Sequence, residues 1–380
     1  MTFTGLALYD SGVFNGVAED VSEEIGMIAP FETLLLNALA QAPAPADNVL
    51  HEWLEEDLGP NTVSVSVTQD DAATYVVPHM AGTAAYPYLQ AGMTMENETT
   101  GEQVQISSVG VNTITITRGF GSTTAATITA GDNFFVIGDA ALEGADVSGD
   151  LSRPRDRRTN YCQLFQKPIV VSGTMQAVRK LGGITDEYDH QRMQRLRESL
   201  RDLEKTVIRG RLSGNTIGGS AVANTRTMKG LWQAIATNAT STGTLTQSTL
   251  DTVIQGAWSN GATDLDLIVC DKVMKRIIDG WNSSRIDVTQ GSAGDETYMR
   301  KVTYYEGTFG EMEVQLNRWM PSGSLMVIST KRIHVVPLRG RSFRHERVAK
   351  TGDAEKGHVL GEYTLEFRNE KGLAKAYGCS

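Results

Sequence analysis

The residue types that could support chemistry are few and poorly placed for it. His51-Glu52 opens the metalloprotease pattern, in which a second histidine must follow at position 55. Position 55 is Glu55, so the pattern fails. The six histidines, His51, His79, His190, His334, His345 and His358, never stand four residues apart, the spacing that puts two metal ligands on one helix face. Cys162, Cys270 and Cys379 form no CxxC pair, which argues against a zinc knuckle and a disulfide framework. Cys270 closes an apolar run and reads as a buried, inert thiol. Glu55, Glu56 and Asp57 supply adjacent carboxylates of the kind used in sugar hydrolysis, but neighbouring surface acids are usually just solvated. There is no GxSxG elbow and no phosphate loop of the GxxxxGKS/T type. Gly119-Phe120-Gly121 lacks the third glycine and following helix of a nucleotide loop, so it reads as a turn. The expectation is a non-enzymatic chain with no catalytic, cofactor-binding or metal-binding residues and no cofactor.

Charge is the more informative signal. The net of −10 over 380 residues conceals two unlike halves. Residues 1–150 carry one basic side chain, Arg118, against 21 acidic ones, a net of −20. Residues 151–380 carry 34 basic and 24 acidic side chains, a net of +10. Two differently solvated domains would explain this. So would a homo-oligomer in which the acidic part of one copy lies on the basic part of the next, which would fix register and steer encounter. The residues nominated for such contacts are Glu55, Glu56 and Asp57 on the acidic side. On the basic side they are Arg153, Arg155, Arg157, Arg158, Arg341, Arg344 and Arg347. The low overall pI opposes general polyanion affinity for the basic clusters. Apolar residues make up 40% of the chain, enough for a core, yet no run approaches the ~18 residues of a membrane span. Met1 to Asp20 has no Lys or Arg, unlike the head of a secretory signal. The scarcity of cysteine suits a reducing cytoplasm.

The elements that would position these residues follow from periodicity. Residues 1–29 read as an extended arm, and Pro30-Phe31-Glu32 opens a short apolar helix through Leu39. His51 to Leu58 reads as an extended segment with an acidic face. From Thr62 to Ile137, alternation at Val63, Val65 and Val67, at 103–106 and at 113–117 predicts short strands separated by Gly and Asn/Asp turns. Phe134 to Ile137 reads as a buried strand. These make a small β-barrel or sandwich. Asn160 to Val171 reads as one long strand. A helix is predicted from Asp186 to Leu212, capped by Thr185 or Asp186. Its seam is Met193, Leu196, Leu200, Leu203 and Val207, with Glu204 among the charged faces. An α/β pattern follows from residue 230: a helix at 250–258, a strand at 264–270, a helix capped by Asp271, then strands at 302–305, 312–316, 325–329, 333–336 and 363–370.

These blocks resemble the major capsid proteins of tailed bacteriophages, and most of all the family like the SU-ten phage major head protein. The resemblance is carried by Ala29-Pro30-Phe31, His51-Glu52-Trp53, Glu143-Gly144-Ala145-Asp146 and Asn160-Tyr161-Cys162-Gln163-Leu164-Phe165. Val171-Ser172-Gly173-Thr174, the long helix and Arg368-Asn369-Glu370-Lys371 complete it. It implies an α+β Hong Kong 97-type fold. The arm and short helix would occupy 1–47, and the extended loop 48–175. The peripheral domain would take 176–230 and 341–380, with its spine helix at about 186–212. The axial domain would be 231–340. The β-rich segment 60–140 would be an all-β domain inserted in the extended loop. The implied function is an icosahedral head of hexamers and pentamers around double-stranded DNA, without sequence-specific binding and without a membrane. Implied partners are a portal and, as separate proteins, scaffolding or decoration proteins. The product would be a virion component made in the host bacterial cytoplasm. A phage tail-tube or decoration protein, or a hydrolase with a β carbohydrate-binding module, are the alternatives. Some shells of this fold join subunits through a Lys–Asn isopeptide bond. Here Met1 to Gln166 contains no lysine and Lys167 is the first candidate, so a non-covalent shell is expected.

Overall fold

The computed structural model describes residues 33–41, 44–56, 58, 61–78, 88–140, 143–144, 152, 155–178, 186–213, 225–281, 288–291, 295–298, 303–350 and 352–379. The expected arm at 1–29 and the helix start at Pro30-Phe31-Glu32 lie outside these residues, as do Asp57, His79 and Arg153. The chain divides into two compact units. One comprises Met1–Trp53 with Arg157–Ser380, the other Leu54–Asp156.

The unit Leu54–Asp156 is built on a six-stranded antiparallel sheet. Its strand order is Thr62–Ser64, Asn133–Asp139, Met93–Asn97, Gln103–Val109, Ile114–Thr117 and Tyr75–Val76. The expected 60–140 segment falls within this unit. Alternation works as the period of two demands. Val104, Ile106, Ile114 and Ile116 are buried, and their neighbours Gln103, Gln105 and Thr115 are only partly so. The strand at 133–139 departs from expectation. Phe134 is buried, but Phe135 and Ile137 are 43% and 49% exposed. Four apolar residues in a row looked buried on both faces, whereas only one face of this sheet lies on a core. Gly119 and Gly121 occupy the left-handed region, with φ of 61° and 65°, so the tight turn there requires glycine.

Within this unit Arg118 is the one internal cation among the described residues. Arg118 donates through Nε and Nη2 to Glu102 Oε1 and Oε2, both at 2.6 Å. It also donates to the carbonyls of Asp70 (3.1 Å) and Ala73 (3.2 Å), and to that of Ala126. Glu102 in turn accepts the N–H groups of Gly119 and Ala126. Burial alone would raise the Glu102 carboxyl, but Arg118 and these amides outweigh it and hold the group below its ordinary value.

The other unit contains two principal sheets. In the first, the 14-residue strand Ala354–Phe367 is the hub. Gln163–Ser172 pairs antiparallel along one side, from Gln163 opposite Tyr363 to Ser172 opposite Ala354. Arg344–Val348 and Ile333–Pro337 share the other side, and Ala40–Gln41 adds parallel to Ile333–Pro337. The expected single strand 160–171 is interrupted at Cys162. Asp156–Tyr161 pairs instead with Leu50–Glu55 as a two-stranded ladder.

The second sheet runs Ala239–Ser241, Ala374–Tyr377, Leu325–Ile328, Leu267–Cys270, Gly310–Leu316 and Tyr304–Gly307. Its central strands, Leu267–Cys270 and Leu325–Ile328, are buried at every position, as expected when both faces are covered. Leu267, Val269, Met326 and Ile328 join the core beneath the long helix. Ile268, Cys270, Leu325 and Val327 join the core under the helices Gln247–Ser259 and Lys272–Trp281. Strand Ile333–Pro337 belongs to the first sheet and Ala374–Tyr377 to the second, so the sheets do not divide at residue 340.

The long helix spans Glu187–Arg209 and packs on the hub strand and on Gln163–Ser172. Asp186 caps it by accepting the N–H groups of Tyr188 and Asp189. It ends three residues before Leu212, at Gly210. There Gly230 N–H donates to the Gly210 carbonyl at 3.0 Å. A Cβ on Gly210 would stand 2.5 Å from the Thr206 carbonyl oxygen and 2.7 Å from that of Met228, so the crossing chain requires glycine. The apolar seam also differs from expectation. The buried positions are Tyr188, Ser199, Leu203, Glu204, Val207 and Ile208, and Met193 is 47% exposed.

The Arg118 site generates a stability prediction. Arg118→Ala strands a buried carboxylate and should cost ~3–5 kcal/mol within the 62–139 sheet. Arg118→Lys should rescue little, since an ammonium cannot reproduce the fork. Amide exchange in the full chain should show lost protection across 93–117 with the hub strand unaffected. Wild-type protection in Arg118→Ala would contradict this role.

Candidate functional site

The described residues offer structural junctions and charged surfaces, and no group of three or more potential metal ligands among them. The deepest junction is Glu204, a fully buried carboxylate on the long helix. Its Oε1 accepts Leu35 N–H at 3.0 Å and Asn317 Nδ2 at 2.7 Å, and its Oε2 accepts Leu36 N–H at 2.9 Å. Leu35 and Leu36 lie in the first turn of the helix Leu34–Ala38, whose N-terminal amides have no intrahelical acceptor. Thr33 makes no side-chain cap, so Glu204 serves as that cap from a distant part of the chain. Burial pushes its carboxyl above the ordinary value, and the three donors offset this only in part. Sequence reasoning assigned Glu204 to a solvated face. The available signal was its position four residues after Leu200 and four before Ile208, on the buried stripe.

A second junction fixes the ladder formed by Leu50–Glu55 and Asp156–Tyr161. His51 Nε2 lies 3.0 Å from Glu366 Oε2, and Arg368 Nε donates to Glu366 Oε1 at 2.6 Å. The hydrogen bond to His51, with a further contribution from Arg368, holds the Glu366 carboxyl down at about 2 despite burial. Trp53 meets Phe367 edge-on at 5.2 Å. On the returning strand, Asn160 is wholly buried. Its Nδ2 donates to the carbonyls of Leu365 (2.7 Å) and Lys229 (3.1 Å), and its Oδ1 accepts Lys229 N–H at 2.8 Å. Both strands of the ladder are thus tied to the C-terminal end of the hub strand. His51 serves this packing, while Glu52 faces Arg157 across the ladder.

Of the charged residues nominated from sequence, those that are described have partners within the chain, and Asp57 and Arg153 lie outside the described residues. Arg155 lies 3.9 Å from Glu56 and Arg157 lies 3.6 Å from Glu52, all on exposed side chains. Glu55 is partly buried. Burial alone would raise the Glu370 carboxyl, but the hydrogen bonds from Thr237 and Ala236, with a smaller contribution from Arg158, outweigh it and hold the group below its ordinary value. Arg341 lies 2.9 Å from the buried Glu362. Arg344 pairs with Glu346 at 2.6 Å. The Arg347 guanidinium sits 5.1 Å above the ring of Tyr188, whose hydroxyl is 2.7 Å from His345 Nε2. Exposed pairs such as Arg155–Glu56 contribute little to stability and can exchange partners. Lys167 Nζ lies 2.6 Å from Asp202 Oδ2, so the first lysine of the chain is engaged with its own helix. The thiols of Cys162 and Cys270 are pushed up by burial to about 11 and about 12, which leaves them unreactive.

Junctions of this kind position a framework and leave wide charged faces outward. The family described as SU10 major capsid protein matches residues 3–380, nearly the entire chain. The chain belongs to the SU10 major capsid protein family. It is accordingly a structural protein of a phage head, and its family role is not catalytic. Among solved structures, the chain is similar to Gordonia phage Cozz, at 10% identity over 99% of this chain and 98% of that chain, with a TM-score of 0.49. It is similar to the capsid of the native GTA particle, at 11% identity over 99% and 100%, with a TM-score of 0.48. It is also similar to the holo-SrpI encapsulin complex from Synechococcus elongatus PCC 7942, at 10% identity over 59% and 76%, with a TM-score of 0.42. No curated protein sequence matches it.

In this capsid protein the Glu366 junction should set acid sensitivity. A carboxyl held below its ordinary value adds stability that is present above ~pH 4.5 and lost as pH falls through the folded value. Glu366→Gln should therefore melt below wild type near neutrality, with the gap closing between ~pH 4.5 and ~pH 2. A gap that stays constant over that range would show that the charge on Glu366 is not what stabilises the ladder.

Proposed function

We propose that the chain is a Hong Kong 97-type subunit that tiles a closed icosahedral shell around double-stranded DNA. The observation that carries this reading is the family match along nearly the full length, on a chain whose conspicuous buried polar groups are spent on framework junctions. The first sheet with the long helix would form the peripheral domain, and the second sheet with its two helices the axial domain at the capsomer centre. The ladder of Leu50–Glu55 and Asp156–Tyr161 would be the root of the extended loop. The unit Leu54–Asp156 would be an insertion in that loop.

Hexamers and pentamers would be held without covalent bonds, since the 166 residues before Lys167 have no lysine and Lys167 is already ion-paired. The acidic front of one copy would lie over the basic back of another, through Glu55, Glu56, Asp57 and the Arg153–Arg158 cluster, with Arg341, Arg344 and Arg347 on the receiving side. DNA would be enclosed without sequence readout. A portal, and separate scaffolding or decoration proteins, would complete the head. Assembly would take place in the host cytoplasm, before the product becomes part of the virion.

Electron microscopy of the expressed chain should show closed polyhedral shells. Boiled shells should run as a single band near 41.2 kDa. Reversing Arg155, Arg157 and Arg158 to Glu should leave a folded subunit that no longer assembles. Tubes or a persistent monomer would refute the shell. A reductant-resistant ladder would refute its non-covalent nature, and normal shells from the triple variant would remove this cluster from the contact.

A further inference from the structure

A cleft of about 810 Å3 opens in the unit that contains the long helix, at the edge of the second sheet. Its apolar lining includes Leu34, Val314, Leu316 and Met320, and Arg209 and Lys272 line it as well. Leu34 and Leu316 are 40% and 45% exposed, unusual for leucines in a concave surface. Arg209 is oriented by donating to the carbonyls of Trp319 and Met320, both at 2.5 Å. Neither Arg209 nor Lys272 has an acidic partner among the described residues. The acids in the lining are mostly engaged. Asp279 is 2.7 Å from Lys275, and Asp271 accepts Gly323 N–H at 2.6 Å, which leaves Glu313. The Gln315 side chain lines the same cleft, and its Oε1 is buried without a hydrogen-bond donor among the described residues. The cleft therefore asks for three things together: apolar side chains, negative charge, and a backbone or side-chain N–H.

The chain brings such a segment to the rim. Leu34 is both a wall of the cleft and the first residue of the helix held by Glu204. Residues 1–32, which lead into it, carry six acidic side chains and no Lys or Arg. The acids fall among hydrophobes, as in Glu23-Glu24-Ile25 and Phe31-Glu32. At ~3.3 Å per extended residue, the stretch from Glu23 to Leu34 can reach some 35 Å, ample to run along a cleft of this size. We propose that this cleft is the docking groove for residues 19–32 of the same subunit. Glu23 and Glu24 then meet Arg209 and Lys272, Ile25 or Phe31 covers Leu34 and Leu316, and a backbone amide of the arm donates to Gln315. The arrangement makes the arm an intramolecular ligand, attached at one end by the Glu204 cap. It depends only on this subunit and not on the shell reading.

The test is photo-crosslinking in the full-length, unassembled chain with benzoylphenylalanine in place of Ile25. Irradiation should give a product at single-chain mass whose digest joins the arm to residues 313–320. Arg209 also holds a loop, so the cleft is altered by Lys272→Glu alone. The arm is altered separately by Glu23→Lys with Glu24→Lys, neither of which lines the cleft. Each change should cut the crosslink by roughly tenfold, and combining Lys272→Glu with the arm reversal should restore part of it. Crosslinks found only at double mass would assign the groove to a second copy's arm and overturn the proposal. So would a crosslink that never maps to 313–320, or one unaffected by both charge changes.

Discussion

A carboxylate without access to water must be supplied with donors, and Glu204 is supplied with three from two distant parts of the chain. Leaving it unpaired would cost several kcal/mol. Its position therefore decides where the helix Leu34–Ala38 begins, how the loop at Asn317 closes, and which face of the long helix turns inward. A five-residue helix has no independent stability. It exists here because its free amides point at a negative charge fixed by someone else's helix, and because Leu35 is buried in the core beneath.

The same logic recurs through the molecule. Arg118 with Glu102, Asn160 with Leu365 and Lys229, and Glu366 with His51 each place a buried or half-buried polar group where several segments meet. Such groups specify which loop goes where, since a misplaced segment would leave one of them unsatisfied. They also leave the strands and turns from 61 to 140 without an exposed Lys or Arg among the described residues. Arg118 is the only Lys or Arg between 61 and 140, and it is spent inside, while Asp70, Asp71, Glu98 and Asp139 remain exposed. For a capsid protein this leaves a framework set by internal polar ties and an outer charge pattern available to other copies.

Much of this was readable from spacing alone. The alternating strands of the β unit, the Asp186 cap, the Asp271 cap and the buried central strands all obey local rules, and the structure follows them. What escaped was set by long-range packing. The hub strand begins at Ala354, well before the strand expected at 363, and runs through Gly357 and Gly361. A Cβ on Gly357 would lie 1.9 Å from the Tyr188 hydroxyl, and one on Gly361 would lie 2.6 Å from the Phe343 ring. These glycines admit side chains from elsewhere. The long helix stops at Gly210 for a similar reason, and Phe135 and Ile137 are exposed because the sheet buries only one face. Glu204 was hidden by its type: its spacing from Leu200 and Ile208 puts it on the buried stripe, but its donors lie far away in sequence.

The central claim is that Glu204 holds the start of the chain's first helix onto the long helix. Amide exchange at Leu35 and Leu36, compared between wild type and Glu204→Ala in the full chain, tests it most directly. Both amides should be strongly protected in wild type. In the variant they should lose roughly tenfold or more of that protection while the hub strand 354–367 keeps its own. Unchanged protection at Leu35 and Leu36 in a folded Glu204→Ala chain would contradict the account.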